Sequence, residues 1–153
     1  PVSLVVLIAR LLKNQVNEIP YKITDVYKKN NFRGTDDEGS LKIEFHKLFD
    51  AELKISIKEV LAKPTIIYGT KGKMIVPNPW LPNKNTSIEV STSEKNYIKK
   101  ISSKYSVYAN TIKAASDAIQ QNNNYCKFPN MTWEDSIISS KILTEWKNYL
   151  YKV

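Results

Sequence analysis

Residues 41–58 read LKIEFHKLFDAELKISIK, and the period of this stretch decides the fold. Leu41, Ile43 and Phe45 alternate with Lys42, Glu44 and His46. After a short link, Ala51, Leu53, Ile55 and Ile57 alternate with Glu52, Lys54, Ser56 and Lys58. A strand sends successive side chains to opposite faces, so a period of two marks one buried face and one solvated face. Two such runs joined by a short link predict an antiparallel hairpin. Its polar face would carry Lys42, Glu44, His46, Glu52, Lys54, Ser56 and Lys58.

Working outward, Tyr21–Lys28 has apolar residues at Tyr21, Ile23, Val26 and Tyr27, a strand with imperfect alternation. Residues Asn30–Gly39 are polar and hold two glycines, which predicts a loop. Thr65–Tyr68 is a further strand. Gly69-Thr70-Lys71-Gly72 supplies a tight turn, because glycine takes positive φ without a Cβ penalty, and Lys73–Val76 returns as the partner. Pro77-Asn78-Pro79-Trp80-Leu81-Pro82 cannot continue a ladder, since each proline lacks an amide donor. Ser87–Ser91 is another strand. Upstream, Val2–Asn14 reads as a helix, apolar nearly all round and hence buried. Tyr105, Tyr108, Ala109, Ile112, Ala115 and Ile119 follow helical spacing, and Gln120–Asn124 ends that helix. Thr132 and Asp135 form an acidic variant of a capping box and open a last helix with Ile137, Ile138, Ile142, Leu143, Trp146 and Leu150. A helix, a run of antiparallel strands and two helices predict an α+β fold: a mostly antiparallel, open-faced sheet with helices packed on one face.

The bulk numbers set limits. A chain of 153 residues, 42% hydrophobic and 25% charged, suits one globular domain over 1–153. The apolar stretch from Val2 to Leu12 is interrupted by Arg10 and is too short to span a bilayer, so no membrane is expected. It lacks the basic lead and small-residue cleavage site of a signal peptide. The chain begins without Met inside this run, as a fragment would. One cysteine, Cys126, permits no intrachain disulfide and suits a cytoplasmic setting. With one histidine as well, His46, no His/Cys zinc site can be built, and Asp36-Asp37-Glu38 lacks the alternating ligands of a calcium loop, so no metal is expected. The net charge of +8 raises nucleic acid as a partner. However, only Arg10 and Arg33 of the 23 basic residues are arginine, the residue that base and bidentate phosphate recognition favour. The lysines are scattered through every segment, the pattern of a solvated surface, and nucleic acid is not the expected partner. Tyr105 and Tyr108, which could stack on bases, fall on apolar helical spacing and read as core.

Six pieces, in order, resemble the C-terminal domain of the glucose-fructose oxidoreductase / inositol dehydrogenase / MocA (Gfo/Idh/MocA) superfamily. They are PVSLVVLIARLL, FRGTDDEGSLKIEF, DAELKIS, IIYGTKGKMIVPNPWLP, YSVYANTIKAASDAIQQNN and MTWEDSIISSKIL. The fourth, a strand, a Gly-Thr-x-Gly turn, a strand and Pro-Trp, is the most specific.

The resemblance implies an N-terminal Rossmann domain that binds NAD or NADP, lying outside this chain, which has no G-x-G-x-x-G. It implies a substrate-binding and dimerisation domain of an NAD(P)-dependent sugar or polyol oxidoreductase. The homodimer would form through the sheet face that carries Lys42, Glu44, His46, Glu52, Lys54, Ser56 and Lys58. No catalytic and no cofactor-binding residue is expected here, and the isolated chain should be inactive. The family's catalytic lysine belongs to a Glu-Lys-Pro segment of the other domain; Ala62-Lys63-Pro64 lacks the glutamate and sits between strands. Arg33 and Asp36, in the polar loop, are the candidates for contact with a sugar's hydroxyls. His46 reads as structural or exposed, Trp80, Trp133 and Trp146 as core, and Cys126 as an inert thiol. The alternatives are a basic nucleic-acid-binding module and a free-standing structural domain.

Overall fold

The structure is a computed structural model that describes residues 1–13, 20–30, 36–61 and 64–151. The described residues form three helices and two antiparallel sheets, an α+β fold. Two compact units divide the chain: Pro1–Leu61 with Lys127–Val153, and Ala62–Cys126.

In the first unit, β1 (Tyr21–Asn30), β2 (Asp36–Phe45) and β3 (Phe49–Ser56) form a sheet in the order β1-β2-β3. The predicted hairpin is β2 and β3, with Leu41 opposite Leu53 and Ile43 opposite Ala51. Leu41, Ile43 and Phe45 are fully buried while Lys42 and Glu44 are exposed, as their period requires. Strand β1 explains its own imperfect alternation. Its register slips between Ile23 and Asp25, leaving Thr24 as a bulge, so that Ile23 (opposite Ile43) and Val26 (opposite Leu41) reach the same face. Tyr21, Phe45 and Phe49 close one end of the sheet, the two phenylalanine rings stacked 4.8 Å apart.

Two helices cover that face. In α1 (Val2–Lys13) the buried residues are Val2, Val5, Val6 and Ala9, spaced as one side of a helix demands. The helix is not buried all round: Leu11 and Leu12, beyond the edge of the stripe, are exposed. In α3 (Trp133–Tyr151) the inward positions are Asp135, Ser139, Ile142 and Trp146. Gly39 makes room for this helix: a Cβ there would lie 3.6 Å from Trp146 Cζ2.

Among the described residues, polar bonds join the two helices at one point. The Thr132 amide and hydroxyl donate to Asp135 Oδ2 at 2.8 and 3.0 Å, and the Asp135 amide donates back to Thr132 Oγ1 at 3.4 Å. This is the predicted capping box. Arg10, in the last turn of α1, donates to the same Asp135 oxygen at 2.5 Å and to Thr132 Oγ1 at 3.3 Å. Its guanidinium carbon lies 5.0 Å from the centre of the Phe128 ring.

In the second unit, β4 (Thr65–Gly69), β5 (Gly72–Val76), β6 (Asn85–Thr92) and β7 (Asn96–Ser102) form a meander, followed by α2 (Val107–Gln120). The Ser106 hydroxyl caps α2 by accepting from the Ala109 amide. Of the two turn glycines only Gly72 has positive φ, at 150°.

Several expectations are corrected. Residues Asp36–Gly39 are the start of β2, not loop: their backbone pairs with β1 and, from Glu38, with β3, and the pairing outweighs their polar composition. Residues 31–35 of that expected loop lie outside the described residues. Ile57 lies past the end of β3, off the covered face, and is 81% exposed. Strand β7 carries no period-two mark, because it is an edge strand exposed on both faces. The apolar side of α2 is uncovered: Tyr108, Ile112 and Ile119 are 70%, 68% and 72% exposed. Trp80 is exposed, and Trp133 is 65% exposed, whereas Trp146 is core. No helix among the described residues is long and apolar enough to cross a membrane.

A Cβ on Gly72 would lie 2.1 Å from the Ser91 carbonyl oxygen, whereas one on Gly69 would meet nothing nearer than 3.7 Å. Gly72→Ala should therefore cost more than about 3 kcal/mol by separating β5 from β6, and Gly69→Ala less than about 1 kcal/mol. Thermal unfolding of the two variants checks the ranking. Arg10→Ala leaves Asp135 buried and without its cation, and should cost about 3 kcal/mol by the same assay.

Candidate functional site

The polar face of the β1-β2-β3 sheet is built in rows. Lys42 stands between Asp25 and Glu52; Glu44 between Lys22 and Asp50; Glu38 between Lys29 and Ser56. Among the described residues three ion pairs lie on it: Lys42 with Asp25 at 3.2 Å, Lys54 with Glu52 at 3.0 Å, and Lys29 with Glu38 at 3.2 Å. The Glu38 carboxylate, as hydrogen-bond acceptor and as charge, raises the Lys29 ammonium above its usual range. All three pairs are solvent-exposed, and such pairs contribute roughly 0–1 kcal/mol each. The structure thus brings Lys42, Glu44, Glu52, Lys54 and Ser56 onto one surface. His46 and Lys58 sit beyond the strand ends. His46 donates its backbone amide to the Pro20 carbonyl at 3.0 Å and opens the turn in which Lys47 takes φ of 57°. The Ser56 hydroxyl accepts from the amides of Lys58 and Glu59, which turns the chain off the sheet.

Of the sugar-contact candidates, Arg33 lies outside the described residues. Asp36 Oδ2 accepts a 2.8 Å hydrogen bond from the Tyr151 hydroxyl, and Lys28 Nζ lies 3.8 Å from the centre of the Tyr151 ring. This bond raises the Tyr151 phenol above its usual range. Asp36 thereby ties the last turn of α3 to the sheet, and its Oδ1 is buried with no partner among the described residues.

A shallow groove, widely open to solvent, runs along the outward side of α3. Ser136, Ser140, Thr144 and Asn148 line it. Residues four apart on a helix stack into a column, so these four make one polar ridge. Trp133, Ile137, Lys141 and Glu145 make the neighbouring column and also line the groove. Tyr21, from β1, completes it. Burial of the Tyr21 hydroxyl, together with the hydrogen-bonding and charge of Glu145, pushes its phenol up to about 12. The only signal in the sequence was the four-residue spacing, which also describes an ordinary wet helix face. Among the described residues, no cluster of three or more His, Cys, Asp or Glu could hold a metal ion.

No model of a known protein family matches the chain, and no curated protein matches it by sequence. Solved structures do share its fold. A single-residue mutant of KijD10, a 3-ketoreductase from Actinomadura kijaniata in complex with TDP-benzene and NADP, superposes with a TM-score of 0.74 at 11% identity over 95% of this chain and 45% of its own. The open conformation of KijD10 gives 0.69 at 12% identity, over 90% and 42%. MviM, a dehydrogenase from Clostridium difficile, gives 0.56 at 13% identity, over 96% and 46%. The chain spans less than half the length of these structures, and at such identities the likeness establishes the fold.

The raised Tyr21 phenol has a stability consequence. Its neutral form is favoured in the folded state, so this contribution is complete below the ordinary value of 10 and is lost as pH rises towards about 12. Stability should fall across that interval, and less steeply in Tyr21→Phe; urea unfolding of both proteins from pH 9 to 12 measures the difference.

Proposed function

We propose that residues 1–153 are the C-terminal domain of an NAD(P)-dependent sugar or polyol oxidoreductase of the Gfo/Idh/MocA type. In this reading the chain holds substrate and pairs with its copy, while the nicotinamide cofactor binds to an N-terminal Rossmann domain of the parent protein. One observation carries the reading: nearly all of the chain shares its fold with less than half of an NADP-bound ketoreductase. The order of the six sequence pieces supports it, as does the lack of any G-x-G-x-x-G in this chain to cradle a pyrophosphate. A cytoplasmic setting belongs to the same proposal and rests on the single Cys126.

The pairing surface is the polar face around Lys42, Glu44, Glu52 and Lys54. Its charges of both signs alternate across the strands, so a two-fold axis could set each lysine against a carboxylate of the copy. So polar a face would make a wet interface with little energy per ion pair. Arg33 remains a sugar-contact candidate. Asp36 is the weaker of the two, since one of its oxygens is engaged by Tyr151.

A second reading, a surface for single-stranded nucleic acid, has one observation in its favour. Residues 62–126 contain nine lysines against three carboxylates, and Tyr108 is exposed, not core. Lysine for phosphate and tyrosine for base is the pairing such a surface uses.

Sedimentation equilibrium at low and high salt tests the first reading, with NADPH fluorescence and a poly(U) titration alongside. The expected outcome is a dimer that survives high salt, no NADPH binding by this chain, and no poly(U) binding. A monomer at all concentrations would refute the pairing role. Poly(U) affinity that falls steeply with salt would replace this reading with the second.

A further inference from the structure

We propose that α2 is a self-pairing helix. Its outer stripe, Tyr108, Ile112, Ala115 and Ile119, packs antiparallel against the same stripe of a second copy of this chain, across a two-fold axis. The inference stands apart from the oxidoreductase reading and from the polar face of the β1-β2-β3 sheet.

The second unit is built without a closed core. None of its described residues is fully buried, whereas the first unit buries Leu41, Ile43, Phe45 and Ile142 completely. Helix α2 is arranged the wrong way round for a helix that ends at water. Its half-buried side is Val107, Ala114 and Ala118. Its largest apolar side chains, Tyr108, Ile112 and Ile119, point away from that side and are 70%, 68% and 72% exposed. A surface helix normally turns its large apolar residues inward.

The stripe has the spacing of a helix partner. Intervals of four, three and four residues from Tyr108 to Ile119 hold a seam of period 3.5, the period at which two helices pack along their length. Self-complementarity then selects a copy. In an antiparallel pair centred between Lys113 and Ala114, Tyr108 meets Ile119 of the copy. Ile112 meets Ala115 of the copy, a large side chain against a small one at the closest approach of the axes. The flanking positions Ala109, Thr111, Ser116 and Ala118 carry no charge, so no like charges meet across the seam in a chain of net charge +8. Lys113 and Asp117 pair with each other at 2.6 Å on the side away from the stripe. The first turn of α2 has no acidic residue and the last turn no basic one. An antiparallel copy supplies what is missing, setting the positive end of each helix dipole beside the negative end of the other.

The area suits a weak pair. Tyr108, Ile112 and Ile119 offer on the order of 400 Å² of apolar surface per copy, and about 800 Å² for two. The small flanking residues bring this to about 1,000 Å², the lower bound for a specific interface.

Sedimentation equilibrium of the full chain in high salt, where ion pairs across the polar sheet face are screened, tests the seam. A dimer with a Kd on the order of 100 µM is expected. Ile112→Glu changes an exposed helix position, should keep the circular dichroism of the parent, and should weaken the dimer at least about tenfold. Ala115→Trp adds apolar surface yet should also weaken it, because the indole occupies the space of Ile112 of the copy. Lys42→Glu combined with Lys54→Glu, on the sheet face, should leave it unchanged. A dimer that Ile112→Glu leaves intact, or that Ala115→Trp strengthens, would overturn the seam. Loss of the dimer in the sheet-face variant alone would place the pairing on the sheet and overturn the seam by itself. A monomer throughout would also overturn it, and the low-salt measurement would then judge the sheet face.

Discussion

One ionic knot sets the geometry of the first unit: Arg10 of α1, Asp135 of α3 and the cap residue Thr132. Two helices lying on a sheet can slide and roll, since apolar contact has no preferred direction. The knot removes that freedom. Arg10 meets Asp135 where the capping box also starts α3, so the first turn of one helix is bonded to the last turn of the other. The roll of α3 follows, with Ile142 and Trp146 under the helix against Gly39 and the sheet. The outward columns follow in turn, so an arginine some 120 residues away in sequence decides which side chains line the groove. A buried ion pair of this kind contributes little net stability over an apolar substitute, and its value here is in orientation.

Much of this architecture was legible in the residues. The period of two in 41–45 and 51–55 stated the hairpin and its two faces, because burial on one side leaves that mark. Thr132 and Asp135 stated the start of α3. What escaped is what leaves no such mark. Strand β7 is an edge with solvent on both faces, so Asn96–Ser102 shows lysines where a buried strand would alternate. The imperfect pattern of β1 needed the Thr24 bulge, which only the partner strand reveals. The amphipathic spacing of α2 is real, yet periodicity states which residues share a side and not whether that side is covered.

The candidate site was legible in reverse proportion. The polar sheet face was readable residue by residue, since it is the complement of the core. The groove was not, because Ser136, Ser140, Thr144 and Asn148 look like any wet helix face until Tyr21 is brought beside Glu145 by the fold. Trp133, expected in the core beside the cap of α3, lies outside the inward stripe of that helix, a matter of helical rotation that its spacing from the other apolar residues does not state. The likeness to NADP-bound enzymes locates the chain within an architecture. A shared fold carries many chemistries, so function must be argued from these particular side chains.

The first unit is also interrupted in sequence: residues 62–126 are made after its sheet and before α3. During synthesis, at roughly 5–20 residues per second, the local hairpins of the second unit can close at once. The face of Leu41, Ile43 and Phe45 has only α1 to cover it until α3 follows. For those seconds the nascent chain carries an apolar sheet surface with one of its two covers missing, the kind of surface on which chaperones act and aggregation begins. The order of the chain, with residues 62–126 ahead of α3, sets how long that surface waits for its second cover.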